Sequence, residues 1–258
     1  MNRSPLMGKV VAITRAQAQN DGLARLIARA GGEALLLPLF KIVPVASEDA
    51  VLRACEHLGD YALAIFVSPN AVAFALPHVR YGIRWPPHLT LAAPGPGTAA
   101  ALAEHGVGPV LVPQGRHDTE ALLALPELQA PAVYGRRAVI FCGEGGRALL
   151  AETLAARGAS VDVVFCYRRL PLPGTAQRLL QYWRQGRLDA LVVTSSTALR
   201  YLHSAPQAEM AAVLAEIPLF VSHARIAELA GCLGLHHIIR TAADNTGIAA
   251  SLCAYNWP

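Results

Sequence analysis

No apolar run in this sequence reaches the roughly 18 to 20 residues that a membrane span requires, because Pro, Gly, Arg, Asp or His interrupts each candidate first. No membrane partner is expected. Charge is sparse as well: 16% of residues carry it, the formal net charge is only +4, and no Lys/Arg run or basic helical stripe appears among aromatics that make up 6%. A nucleic-acid groove needs those features, so the mild positive balance suits an anionic small molecule better. The five cysteines, Cys55, Cys142, Cys166, Cys232 and Cys253, include no CxxC pair. An odd, irregularly spaced set argues against a disulfide framework or zinc site and for free, buried thiols. The histidines form no HExxH, and His236 and His237, adjacent in a strand, would face opposite ways, so no metal is expected. GxSxG is missing, and neither His203 nor His223 has a nearby acid to orient it. The opening MNRSPLMGKVVAITR lacks the parts of a secretory signal, which makes the cytoplasm the expected location.

What the sequence does have is apolar residues, 53% of 258, with a mean hydropathy of +0.36, enough for one large core or two ordinary ones. They are arranged in a repeat. Lys9-Val-Val-Ala-Ile-Thr14 matches Arg137-Ala-Val-Ile-Phe-Cys142, and LARLIARAGG from Leu23 matches LAETLAARGA from Leu150. LAIFVSPNAV from Leu63 matches ALVVTSSTAL from Ala190, and GPGTAAAL from Gly95 matches SHARIAEL from Ser222. The offsets are 137 − 9 = 128, 150 − 23 = 127, 190 − 63 = 127 and 222 − 95 = 127. Several motifs in one register mean an internal duplication. Each half alternates continuous apolar strands with amphipathic helices, the pattern of a parallel sheet covered on both faces. The expected fold is therefore α/β, with two similar doubly wound parallel-sheet domains. The long runs LLLPLFKIVPV and VDVVFCYRRLP, each ending at prolines, read as strands that cross between domains.

Sheets of this kind bind ligands at the carboxyl ends of their strands, which places a site in the strand-to-helix loops of two facing lobes. Ser68-Pro69-Asn70 and Ser195-Ser196-Thr197 are such loops in matching positions. Hydroxyls and amides beside free backbone N–H groups bind carboxylates and phosphates, although the same residues also serve simply as helix caps. Gly143-Glu144-Gly145-Gly146-Arg147 offers N–H groups to an anion too, without the GK[ST] ending of a P-loop. Gly95-Pro96-Gly97-Thr98-Ala99-Ala100 imitates a dinucleotide fingerprint, with Asp118 about twenty residues on. Asp118 falls beyond the next strand, and the partner segment SHARIA has no glycines, so nicotinamide binding is a poor fit. Positioning of a substrate, rather than covalent chemistry, is what this set of residues suggests.

The ordered series VVAITR, LAIFVSPNAV, APGPGTAAAL, FCGEGGRALLAETLAARGASVDVVFCYRRLP, DALVVTSSTAL and ADNTGIAASL resembles the uroporphyrinogen-III synthase family over nearly the whole chain. The resemblance implies two α/β domains joined by two crossing strands, one formed by residues 1–38 and 168–258 and the other by residues 39–167. It implies a substrate, hydroxymethylbilane, that is dehydrated and closed to uroporphyrinogen III with ring D inverted through a spiro intermediate, without a metal or organic cofactor. Positional control of a linear tetrapyrrole with eight carboxylate side chains is then the dominant task, with lobe closure setting its curvature. A monomer is implied, with transient contact to the preceding enzyme of the pathway.

The resemblance also assigns residues. Tyr167 matches a family tyrosine at the crossing strand, and a phenol, protonated at neutral pH, can donate to the departing hydroxyl. Thr98 matches a threonine in the GxxT loop that includes Gly97. Thr14 and Arg15 match a position near the cleft and are expected carboxylate ligands, as are Ser68, Asn70, Gly143, Ser195 and Ser196 from the loops above. Where the family often has GPTT, this chain reads Ser222-His-Ala-Arg225, so Ser222 or Arg225 is left to make that anion contact. The rival readings are a two-lobed small-ligand-binding module and, less well supported, an NAD(P)-binding oxidoreductase.

Overall fold

The computed structural model describes residues 4–15, 21–79, 85–146, 148–206 and 208–257. In chain order the elements begin with β1 (Val10–Ile13), α1 (Asp21–Arg29), β2 (Glu33–Leu36), β3 (Phe40–Pro44), α2 (Asp49–Glu56), β4 (Leu63–Phe66) and α3 (Pro69–Ala75). β5 (Thr90–Ala92), α4 (Pro96–Glu104), β6 (Val110–Leu111), α5 (Thr119–Leu123), α6 (Ala130–Val133), β7 (Arg137–Gly143), α7 (Leu149–Ala156) and β8 (Ser160–Pro171) follow. The chain ends with α8 (Thr175–Arg184), β9 (Ala190–Val193), α9 (Ser196–His203), α10 (Ala208–Glu216), β10 (Leu219–Val221), α11 (Ala224–Cys232), β11 (Ile238–Arg240) and α12 (Asn245–Ala254).

Two compact units emerge: unit 1 holds residues 1–41 and 171–258, and unit 2 holds residues 42–170. The divisions fall after Lys41 and Leu170, inside β3 and β8, three residues beyond the expected 38 and 167. The first expected crossing run is not one strand. β2 stops at Leu36 and β3 starts at Phe40, because Pro38 has no N–H for a sheet ladder, and its carbonyl instead accepts a 3.1 Å hydrogen bond from Thr175 Oγ1.

Unit 1 carries the sheet order β11-β10-β9-β1-β2 and unit 2 the order β6-β5-β4-β7-β8, with β3 added outside β8. The pairings from β2 to β11 are all parallel, as are those from β6 to β8. The duplication thus reappears as one sheet drawn twice. Each copy mixes the halves of the sequence: β1 and β2 of the first repeat join β9, β10 and β11 of the second, and β7 and β8 of the second join β4, β5 and β6 of the first.

Strand periodicity divides each core into two layers. In unit 1, Val10, Ala12, Leu191, Val193 and Leu219 face one layer of helices, while Val11, Ile13, Ala190, Val192 and Phe220 face the other. Unit 2 repeats this, with Ala64, Phe66, Val139 and Phe141 on one side and Leu63, Ile65, Ala138 and Ile140 on the other. β1, β4 and β9 are buried at every residue for this reason. Burying one such side chain from water contributes about 1.5–3 kcal/mol, so the strands, more than helix propensity, anchor each unit.

The five cysteines are unpaired, but the expectation of burial holds only for Cys55, Cys142 and Cys166. Cys232, in the last turn of α11, is exposed on a face turned away from the apolar layers, and Cys253 is half-buried at the margin of the layer that holds Ile248 and Leu252.

Candidate functional site

Because the strands from β2 to β11, and those from β6 to β8, run the same way, their carboxyl ends lie along one edge of each sheet, and the residues proposed from the sequence gather on those edges. In unit 1 these are Thr14 and Arg15 after β1, Ser195 and Ser196 after β9, and Ser222 and Arg225 after β10. Unit 2 has Ser68 and Asn70 after β4, Gly97 and Thr98 after β5, Gly143 at the end of β7, and Tyr167 within β8.

Unit 1 holds its candidates in different ways. Thr14 is buried, and its hydroxyl donates to the Val192 carbonyl at 3.0 Å, tying β1 to β9. Arg15 is half-buried: Nε donates to Thr194 Oγ1 at 3.1 Å, Nη1 to Asn245 Oδ1 at 2.7 Å and Nη2 to the Ala243 carbonyl at 3.4 Å. Burial pushes its guanidinium pKa down from the ordinary value, against the opposing pull of Asp244. Arg15 is therefore a built-in strut between the end of β1 and the start of α12 before it is anything else. Ser195 caps α9, accepting from the Ala198 N–H at 3.0 Å, and Ser196 follows it, half-buried, in the first turn. Arg225 is exposed in the first turn of α11. Ser222 is 6% exposed and its Oγ has no hydrogen-bond partner among the described residues. A buried hydroxyl left without a partner costs about 1–3 kcal/mol.

The edge of unit 2 is organised around Tyr167. Its ring is 1% exposed, with Phe74 tilted against it at 6.0 Å between centroids. The space for the ring exists because residue 143 is a glycine: a Cβ there would lie 2.5 Å from Tyr167 Cε2 and Cζ. Gly143 pairs with Tyr167 across a register shift in the β7–β8 ladder, and the Glu144 N–H closes the junction on the Tyr167 carbonyl at 2.9 Å. The glycine read from the sequence as an anion cradle is thus first a seat for the phenol. Arg147, the last residue of that motif, lies outside the described residues.

The Tyr167 hydroxyl meets Ser68 Oγ at 3.1 Å and accepts from Arg169 Nη2 at 3.1 Å, with the same guanidinium 5.3 Å from the ring centroid. Ser68 also caps α3, accepting from the Ala71 N–H at 3.2 Å, and Asn70 is half-buried in the next turn. Gly97 is exposed in the first turn of α4 with nothing within 4 Å of where a Cβ would stand, whereas Thr98 beside it is buried. Asp118 caps α5 through the Ala121 N–H at 2.8 Å and pairs with Arg116, so the acid of the apparent dinucleotide fingerprint is employed locally. A hollow in unit 2 lined by Leu63, Thr90, Arg137 and Ala138 lies at the opposite, amino ends of the strands, away from all these side chains.

Arg169 escaped the sequence reading. Its signal was present: residues two apart on a strand share a face, which puts Arg169 beside Tyr167.

Residues 21–249 match the family described as uroporphyrinogen-III synthase HemD. The chain is 34% identical to the uroporphyrinogen-III synthase of Escherichia coli over 94% of its own length and 99% of that protein. To the enzyme of the same name from Salmonella typhimurium it is 35% identical, again over 94% of this chain and 99% of the other. Among solved structures, a mutant uroporphyrinogen III synthase from Thermus thermophilus superposes with a TM-score of 0.66 over 95% of this chain and 96% of that one, at 21% identity, a likeness of fold.

Proposed function

The chain belongs to the uroporphyrinogen-III synthase family, and we propose that it closes hydroxymethylbilane to uroporphyrinogen III chiefly by holding that polycarboxylate in the geometry of reaction. It is an enzyme of tetrapyrrole biosynthesis, a cyclising lyase. The observation that carries this reading is the likeness along nearly the whole chain to enzymes of that name.

The chemistry asks for little reactive machinery. A hydroxymethylbilane can lose its hydroxyl and close unaided to the type I ring, so the protein must favour attack by the substituted carbon of ring D over attack by the free one. Fixing two ends of one molecule is an entropic task, met by many modest contacts. The carboxyl edges suit it. Helices α4, α9 and α11 begin there, and their first N–H groups together with the partial positive charge of each helix start favour carboxylates. The hydroxyls of Ser195 and Ser196, the unpartnered Ser222 Oγ and the exposed Arg225 supply further contacts in unit 1. In unit 2 the open backbone at Gly97 lets an acetate or propionate approach the start of α4, with Asn70 as a side-chain donor. Thr14, Thr98 and Gly143 support these edges from behind, and Arg15 brings a positive charge to the end of β1 while bracing α12. Tyr167 is the proton source for the departing hydroxyl.

The test is to add purified protein to freshly generated hydroxymethylbilane in buffer free of metals and nucleotides and to separate the oxidised type I and type III products. Type III product is expected. Type I product alone, from folded protein, would overturn the reading and favour a two-lobed binding module.

A further inference from the structure

A buried phenol is an awkward acid, because the bound substrate's hydroxyl cannot touch it. The hydrogen bonds around Tyr167 resolve the difficulty when their protons are counted. Arg169 Nη2 can only donate, so the Tyr167 oxygen accepts there. The Ala71 N–H can only donate, so Ser68 Oγ accepts there. Two protons remain, one on each hydroxyl, and one of them lies between the two oxygens. Had Ser68 donated, the Tyr167 proton would be left without an acceptor on a residue 1% exposed, since Ser68 and Arg169 are its partners among the described residues. A buried donor left unsatisfied costs about 1–3 kcal/mol. Tyr167 therefore donates to Ser68, and the Ser68 proton is the free one, on a half-buried residue at the carboxyl end of β4.

Resting on the family activity and on Tyr167 as its acid, we propose that Ser68 is the catalytic residue that touches the departing hydroxyl, with Tyr167 relaying the proton behind it and Arg169 as the positioning residue. As the C–O bond of the hydroxymethyl group breaks, its electron pair leaves on oxygen. That oxygen takes the Ser68 proton and departs as water, and Ser68 Oγ takes the Tyr167 proton. The pyrrole nitrogen of the same ring spreads the positive charge left on carbon. The phenolate is held by the Arg169 guanidinium 3.1 Å away. When the ring has closed and ring D, the attacking pyrrole, sheds its extra proton, that proton returns through Ser68 to Tyr167. One water is lost and nothing is oxidised or reduced.

The experiment measures kcat, KM and product isomer for Ser68→Ala, Tyr167→Phe, Arg169→Gln, Arg169→Lys and the pairwise combinations, with urea melts of each. A wild-type protein giving type I product alone would remove the underlying activity, and that is read before any variant is compared. Ser68→Ala and Tyr167→Phe are each expected to lower kcat by about 100-fold with KM within about twofold, the range of general acid catalysis. Their combination should be no worse than the more severe single change, because members of one relay do not add. Arg169→Gln should cost about 10-fold in kcat, restored in part by Lys, and should cost nothing further in the Tyr167→Phe background. If Ser68→Ala loses its fold with its helix cap, Ser68→Asn, which keeps an acceptor for the Ala71 N–H but has no hydroxyl proton, carries the same test with the same expected loss. Multiplicative losses would overturn the relay, as would a normal kcat for Tyr167→Phe. So would an Arg169→Gln effect confined to KM and undiminished without the phenol, since that guanidinium would then be a substrate ligand.

Discussion

Gly143 and Gly97 have the same standing in the sequence, two glycines in strand-to-helix segments, and the structure separates them. Replacing Gly143 with Ala places a methyl group 2.5 Å from two ring carbons of Tyr167 and 2.9 Å from its hydroxyl oxygen, well inside any real contact. The ring has nowhere to yield: it is fully enclosed, with Phe74 6.0 Å away on another side and its hydroxyl fixed by Ser68 and Arg169. Overpacking of this kind costs about 1–3 kcal/mol, and the displaced hydroxyl should forfeit most of the proton delivery that depends on it. Gly97→Ala meets nothing within 4 Å and lies in a helix, where Ala is favoured by up to about 1 kcal/mol. Urea denaturation of both variants, followed by the isomer assay on the folded fraction, reads the two effects separately. Gly143→Ala should lose stability and turnover together, while Gly97→Ala should keep its stability and raise KM if a carboxylate approaches the backbone there. A Gly143→Ala protein as stable and active as the parent would refute the seating of Tyr167 by this glycine. Equal destabilisation by both variants would refute the steric reasoning itself.

Arg15→Ala should destabilise unit 1 by about 1–3 kcal/mol, because it strips partners from Thr194 and Asn245, as well as raising KM; thermal melts beside KM values check this, and a KM effect at full stability would show that the strut contributes nothing. Native protein at pH 8 should react with a thiol reagent first at Cys232, since burial pushes Cys55 and Cys166 up to about 12 and Cys142 to about 11. Their raised values also mean that this part of the stability is complete below the ordinary thiol range and is withdrawn as pH climbs through 11 to 12. Peptide mapping of the labelled protein checks the order, and early labelling at Cys55 would contradict the burial.

Much of this architecture was legible because its signals are local. Continuous apolar runs such as VVAI and LAIF are buried on both faces, and the 127-residue offset maps β4 onto β9 and so anticipates one sheet order used twice. Ser68 and Ser195 could be paired for the same reason. What stayed hidden depends on side chains meeting across the chain. Nothing near Gly143 says that a ring from residue 167 will fill the space beside it, and nothing near Arg15 announces Asn245, 230 residues away. Cys232 was misjudged because a tendency of cysteine in general stood in for the face of one particular helix. The break at Pro38 was visible but was outweighed by the hydrophobic residues around it.

The mixed parentage of the two sheets also orders events during synthesis. Unit 2 is one unbroken stretch, residues 42–170, and every strand it needs has left the ribosome while unit 1 still lacks β9, β10 and β11. Until then β1 has only β2 beside it, with apolar side chains on both faces and no sheet to enclose them. The pair β1 and β2, made before unit 2, is thus placed after it, and the interval between is when a nascent chain of this design most needs protection from its neighbours.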